Sequence, residues 1–226
     1  MAKQQIVIIA GATGLIGTEL LKLMLEERAI DHIYALTRKG LAFNHPKLQE
    51  LRDPQLRVID WDDSKPAPEK GYICLGTTRK QAGSKSALET VDYHLVCDVA
   101  KNMALLGVKN LTVVSSYGAN PRSSSHYLRC KGKMELALEN LGFENLTFVQ
   151  PGPLVGLRDT PRWDETLLQG ILKIFRPVMI GRLARLIPIK AELVARAMLY
   201  ASFSQQARSV EIFDSVAMRQ LLNKYK

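Results

Sequence analysis

The 226 residues contain only three cysteines, Cys74, Cys97 and Cys130, an odd number with no CxxC spacing, which excludes a disulfide scaffold and a paired-cysteine motif. The four histidines, His32, His45, His94 and His126, fall in no HExxH or paired Cys/His arrangement, so no metal site is expected. No apolar run is long enough to cross a bilayer. The N-terminus lacks the extended apolar core of a secretory signal, because its short run Ile6-Val7-Ile8-Ile9 passes straight into a glycine turn. These absences together predict a cytoplasmic protein. With 15 Gly and 10 Pro against 46% hydrophobic residues, the composition excludes collagen-like and wholly disordered chains, and no repeat or low-complexity run is present. One domain over residues 1–226 is expected.

Charge of one sign is in excess. The formal net charge is +9, most of it carried after Pro121. Such asymmetry suits nucleic acid, an anionic membrane surface or a phosphorylated cofactor. No zinc-finger, RRM or zipper pattern supports nucleic acid, so no nucleic-acid partner is expected.

Short aliphatic runs without alternation recur at residues 6–10, 33–36, 56–59, 72–75, 111–114 and 146–149, the pattern of strands covered on both faces. Helical spacing fills the gaps at residues 15–27, 86–106 and 127–140. Alternating strand and helix implies an α/β fold with a Rossmann-like, doubly wound parallel sheet. After Pro151 the rhythm loosens, with helices expected at residues 165–175 and 191–202, a strand at 210–213 and a final helix. This tail is expected to supply a sheet edge and a small C-terminal cap on the substrate side, formed by residues 151–190.

Gly11-Ala12-Thr13-Gly14-Leu15-Ile16-Gly17 follows the first strand and opens the first helix. A tight turn needs a residue free to take positive φ, backbone close to pyrophosphate tolerates no side chain, and a helix crossing close to a strand favours glycine. Amides at the helix N-terminus then face phosphates. The alternative is a tight turn with no ligand. At the end of the second strand, where NAD-binding sites place an acid on the ribose 2′-hydroxyl, the chain reads Leu36-Thr37-Arg38-Lys39. Two cations there favour a 2′-phosphate, hence NADP(H) over NAD(H), against the alternative of a solvated basic loop. Asp60, in Asp60-Trp61-Asp62-Asp63, is a candidate acceptor for the adenine amino group, or a turn residue. Leu75, Gly76 and Thr77, at the end of the fourth strand, are candidates to line the cofactor crevice.

Tyr127 and Lys131 form a YxxxK pair one helical turn apart. A neighbouring cation favours phenolate, which makes Tyr127 a candidate acid toward a carbonyl oxygen, with Lys131 also available to ribose hydroxyls. The strand ending Val113-Val114-Ser115-Ser116 supplies a hydroxyl to orient the carbonyl, Ser115 being chosen over Ser116.

Taken together, the glycine turn, the strand-end VVSS, YxxxK and Pro151-Gly152-Pro153-Leu154-Val155-Gly156 resemble the short-chain dehydrogenase/reductase superfamily, and within it the atypical Tat-interacting-protein branch and its bacterial relatives. Cys74 to Arg79, Ala82-Gly83-Ser84, Ser115 to Ala119 and Lys131 to Glu135 carry the resemblance to the branch, which covers most of residues 6–158. It implies a nicotinamide dinucleotide site at Gly11, Thr13, Gly14, Leu15, Ile16, Gly17, Arg38, Leu75 and Gly76. Thr37, Lys39, Asp60, Thr77, Tyr127, Lys131, Pro151 and Leu154 join that candidate set. The implied catalytic-type trio is Ser115, Tyr127 and Lys131, without a secure counterpart of the superfamily's relay asparagine. In this branch the cofactor serves turnover or regulation, so two functions follow as expectations. One is an NADP(H)-dependent oxidoreductase acting on a small molecule whose identity the sequence does not give. The other is a cofactor-sensing module that orders residues 158–188 for a protein partner. A homo-oligomer is left open, and the basic, apolar stretch at residues 167–189 is read as a cap in preference to a membrane contact, because Pro177, Gly181 and Pro188 interrupt it.

Overall fold

The computed structural model describes residues 5–59, 61–155, 185–204 and 209–225. Strand β1 (Gln5–Ala10) shows why unalternating aliphatic runs were needed: Val7 and Ile9 enter one core while Ile8 and Ala10 enter a second core on the opposite face. Helix α1 (Leu15–Glu26) covers the first face with Ile16, Leu20 and Met24. The chain then returns through β2 (Ile30–Thr37), β3 (Leu48–Arg52) and β4 (Lys70–Ile73). A short α2 (Arg79–Ala82) leads to α3 (Lys85–Glu89), which runs through a π-helical turn at Thr90–Leu95 into α4 (Val96–Leu105). Strand β5 (Asn110–Val114), helix α5 (His126–Glu139) and strand β6 (Asn145–Gln150) follow. A two-residue strand β7 (Leu154–Val155) pairs with β8 (Ile189–Lys190), and α6 (Ala191–Phe203), β9 (Val210–Asp214) and α7 (Ser215–Asn223) complete the order.

Seven strands form one parallel sheet in the order β3-β2-β1-β4-β5-β6-β9. The connections run in opposite directions from β1 and β4, so the loops after these two strands part and leave a crevice at their carboxyl ends. The expected doubly wound architecture is therefore observed, with β9 as the predicted sheet edge. Helices α1 and α6 lie on one face, and α4 and α5 contribute Val96, Val99, Met103, Met134 and Leu138 to the other.

Two expectations change. Residues 56–59 are not a strand: the third strand is Leu48–Arg52, and Leu56 is buried in a turn at φ 57° after Asp53. As an edge strand pairing only with β2, β3 needs no continuous apolar run, and its mixed sequence LQELR hid it. The expected 86–106 helix starts at Lys85, with the π-helical turn within it. The predicted helix at residues 165–175, and most of the expected cap, lie outside the described residues.

Helix α5 is brought close to the preceding loop by Gly132. A Cβ there would run into the backbone of Asn120 and Pro121. This contact sets the depth at which the helix presents Tyr127 and Lys131. Gly132→Ala is expected to cost about 3 kcal/mol or more in chemical denaturation, whereas the same change at an unobstructed exposed helix position would stabilise by about 1 kcal/mol.

Candidate functional site

Gly11 holds φ +86°, and a Cβ on it would lie 2.8 Å from the carbonyl carbon and oxygen of Cys74, so β1 and β4 meet through bare backbone. A Cβ on Gly17 would strike the Gly11 carbonyl oxygen, the close helix crossing that the third glycine permits. Gly14 is different. It is exposed, has φ −79° and would place a Cβ no nearer than 3.4 Å to the protein. The fold accounts for Gly11 and Gly17 but not for Gly14, which fits a position kept bare for a ligand. Gly14 gives α1 no side-chain cap and the first turn contains no acid, so the positive end of the helix is left to an outside anion. Thr13 is exposed beside it, whereas Leu15 is half-buried and Ile16 buried, so these two contribute backbone.

On the next strand Thr37 is buried and its hydroxyl donates to Glu50 Oε2 at 3.3 Å. Glu50 also accepts from the Leu41 amide and from Arg52, so this carboxylate is engaged within the protein. Arg38 and Lys39 are exposed at the carboxyl end of β2, and neither pairs with an acid among the described residues. Asp60 lies outside the described residues. The carboxylate that follows β3 is Asp53, and it is used within its own turn. It accepts from the Gln55 and Arg57 amides and pairs with the Arg57 guanidinium at 3.2 Å, which together hold its carboxyl below the usual range.

The centre of the site is a buried ion pair. Lys131 Nζ lies 2.9 Å from Asp92 Oδ1, with side chains only 2% and 0% exposed, and also donates to the Val114 carbonyl at 3.3 Å. Asp92 Oδ2 accepts from the Thr77 amide at 2.9 Å. Gly76 leaves space beside the pair, since a Cβ there would be 3.2 Å from Asp92 Oδ1 and 3.7 Å from Lys131 Nζ. Gly76, Thr77, Asp92, Lys131 and the Val114–Ser115 step therefore converge at the carboxyl ends of β4 and β5. Asp92 sits in the π-helical turn, a widened turn that often marks functional positions.

Ser115 is 3% exposed and its hydroxyl, beside the Glu135 carboxylate, makes no hydrogen bond of ordinary geometry among the described residues, whereas Ser116 is half-buried and turned toward the Tyr117 carbonyl. A buried hydroxyl held by nothing firmer than a neighbouring carboxylate is free to turn to a bound polar group. Close to it is Glu135, one turn beyond Lys131, which accepts from Gln150 Nε2 at 2.8 Å. Burial raises the Glu135 carboxyl above the ordinary 4.5, while Ser115, Gln150 and Lys131 pull it the other way. Tyr127 is half-buried, and its hydroxyl has no protein partner among the described residues. The charge expected to tune it is held instead by Asp92. Leu75 packs against the second core, Pro151 is buried with its carbonyl accepting from the Tyr117 amide, and Leu154 is exposed on β7.

Asp92 and Glu135 escaped the sequence reading. For Asp92 the signal was a charge on an otherwise apolar helical stripe, Leu88, Asp92, Leu95 and Val99, and for Glu135 it was a second charge one turn after Lys131 on the face that also carries Leu138. A cavity of about 300 Å³ lined by Lys70, Asn110, Ser202 and Phe203 lies at the amino ends of the strands, opposite the glycine turn. Its position separates it from this chemistry.

The family model described as HIM1 matches residues 72–178. Protein FMP52, mitochondrial, of Candida albicans is 32% identical over 195 residues, which cover 78% of this chain and 84% of that protein. Protein HTATIP2 of Rattus norvegicus is 29% identical over 218 residues, covering 95% of this chain and 88% of its own. The structure of a UDP-glucuronic acid 4-epimerase from Bacillus cereus in complex with NAD is similar in fold, with TM-score 0.65 at 12% identity over 93% of this chain and 77% of that one. These relatives correct one expectation. FMP52 proteins are named as mitochondrial, which overturns the cytoplasmic assignment. Unpaired cysteines argue against an oxidising compartment and do not single out the cytoplasm.

Asp92→Asn leaves a buried ammonium without its counter-charge and is expected to cost about 3–5 kcal/mol in denaturant unfolding, part of which Lys131→Met restores in the same background. For Glu135 the raised folded value means that ionisation opposes folding. Its favourable contribution is complete below 4.5 and is lost as pH rises through the folded value. Thermal melts of Glu135→Gln and the parent should therefore diverge in favour of the variant as pH rises above 4.5.

Proposed function

The chain belongs to the HIM1 and FMP52 family of atypical short-chain dehydrogenase/reductase relatives, and from that premise we propose that it is an NADP(H)-dependent oxidoreductase that reduces a carbonyl or oxidises an alcohol on a small molecule. The observation that carries this reading is the meeting of three features at the carboxyl edge of the sheet: a bare glycine turn, a buried lysine and a buried serine hydroxyl that makes no hydrogen bond of ordinary geometry among the described residues.

Gly14 and the amides of the first α1 turn hold the pyrophosphate, while Arg38 and Lys39 hold the 2′-phosphate. When bound, the nicotinamide supplies or accepts hydride. Ser115 donates to the substrate carbonyl oxygen and fixes its direction, and Tyr127 delivers the proton to that oxygen as it gains charge. Lys131 has three N–H donors. Two are committed to Asp92 and Val114, which leaves one for a ribose hydroxyl, and Gly76 keeps that side open. The names of the FMP52 relatives support mitochondrial residence for this chain as well.

The Asp92 partner of Lys131 also favours a second reading, in which the site senses the dinucleotide without turning over substrate. NADPH and NADH titrated side by side, by nicotinamide fluorescence or heat, should give tighter NADPH binding. Arg38→Ala should weaken NADPH by about tenfold or more and leave NADH little changed. Screened against carbonyl substrates with NADPH, Tyr127→Phe should lose about 10²–10⁴ in rate at unchanged cofactor affinity. Tight NADPH binding without any turnover in the parent supports the sensing reading, and binding of neither dinucleotide overturns both.

A further inference from the structure

Helix α5 carries a second group of reactive side chains on its outer edge, apart from the Lys131–Asp92 pair. His126 and Cys130 stand one turn apart, and Glu89 at the end of α3 reaches the same point. The His126 Nε2 atom is 3.5 Å from Cys130 Sγ and 3.8 Å from Glu89 Oε2, and all three donor atoms lie within 4.8 Å of one another. We propose that Glu89, His126 and Cys130 form a binding site for a borderline divalent transition-metal ion, zinc above all.

The donor set and its spacing carry the proposal. Thiolate, imidazole and carboxylate are the ligands that zinc takes, and magnesium or calcium would select oxygen alone. Zinc–sulfur bonds of about 2.3 Å and zinc–nitrogen bonds of about 2.0–2.1 Å at a tetrahedral angle place those ligand atoms about 3.5 Å apart. The His126–Cys130 separation already has this value. Cys130 is buried while His126 and Glu89 are partly exposed, so the sulfur lies at the floor and the ion enters past the other two. Three protein ligands leave the fourth position to water.

The surroundings define what binding must rearrange. Without metal, His126 Nε2 is 3.1 Å from the Lys85 carbonyl, and Arg129 Nη2 is 3.3 Å from Nδ1. Coordination through Nε2 moves the ring proton to Nδ1 and releases Arg129, which already donates to the Ser123 and Ser124 carbonyls. Lys133 pairs with the other Glu89 oxygen at 3.5 Å and can remain there. Burial raises the Cys130 thiol above its ordinary value, and the metal displaces its proton to form the thiolate. The site would tie α3 to the first turn of α5, on either side of Tyr127.

Cobalt(II), titrated into untagged full-length chain stripped of metal by chelator, tests this directly. The expected result is saturation at one equivalent with tetrahedral d–d bands and a sulfur-to-cobalt charge-transfer band, all reversed by zinc. Cys130→Ser should abolish the charge-transfer band, Cys97→Ser should keep it, and His126→Ala and Glu89→Gln should each weaken binding by about tenfold or more. No saturable binding, or a charge-transfer band that survives Cys130→Ser, overturns the proposal. If Cys130→Ser does not fold, unchanged affinity in both His126→Ala and Glu89→Gln overturns it equally. Because the readout is the metal spectrum, the result stands apart from dinucleotide binding and turnover.

Discussion

Lysine and aspartate are among the residues least suited to a protein interior, and here both are buried at the point where four chain segments meet. The Lys131–Asp92 pair joins α5 to the π-helical turn, receives the Thr77 amide from the loop after β4 and takes up the Val114 carbonyl at the end of β5. Each desolvated charge requires the other, so none of these segments can shift without exposing the partner's cost. The pair therefore fixes relative position more than it adds net stability. Through the Val114 carbonyl it also fixes the position of the next residue, the buried Ser115.

The sheet order makes that arrangement useful. Reversal of the winding between β1 and β4 opens a crevice above the same strand ends, and Gly11 and Gly17 bring β1, β4 and α1 together by backbone alone. Gly14 is then the exposed floor of the crevice, with the uncapped helix beneath it and the cations Arg38 and Lys39 on the flank. Positive potential thus comes from two sources, the helix end and two side chains, that lie on consecutive elements of one half of the sheet. The chain's excess of positive charge is consistent with this, although most of it lies in the second half.

What was legible in the sequence followed from local physics. The glycine turn could be read because positive φ and close packing admit little else, and YxxxK could be read because helical spacing is fixed. The parallel, doubly wound architecture could be read because strands and helices alternate and crossovers are handed. Edge strand β3 was missed because it carries charge on a sheet margin where no apolar run is required. Asp92 was missed because its partner stands 39 positions later, and only the tertiary fold turns a charge on an apolar stripe into half of a pair. The meeting of Glu89 with His126 and Cys130 depends in the same way on α3 packing against α5, which no spacing rule encodes.

The proposed place of the dinucleotide is the one edge of the sheet that Lys131 and Asp92 organise. Amide hydrogen exchange of the full chain with and without saturating NADPH addresses it residue by residue. Protection is expected to concentrate at residues 11–17, 37–39, 75–77 and the first turns of α5, with the cavity around Lys70 and Ser202 unaffected. Protection confined to that opposite end of the strands, with the glycine turn unchanged, would contradict it.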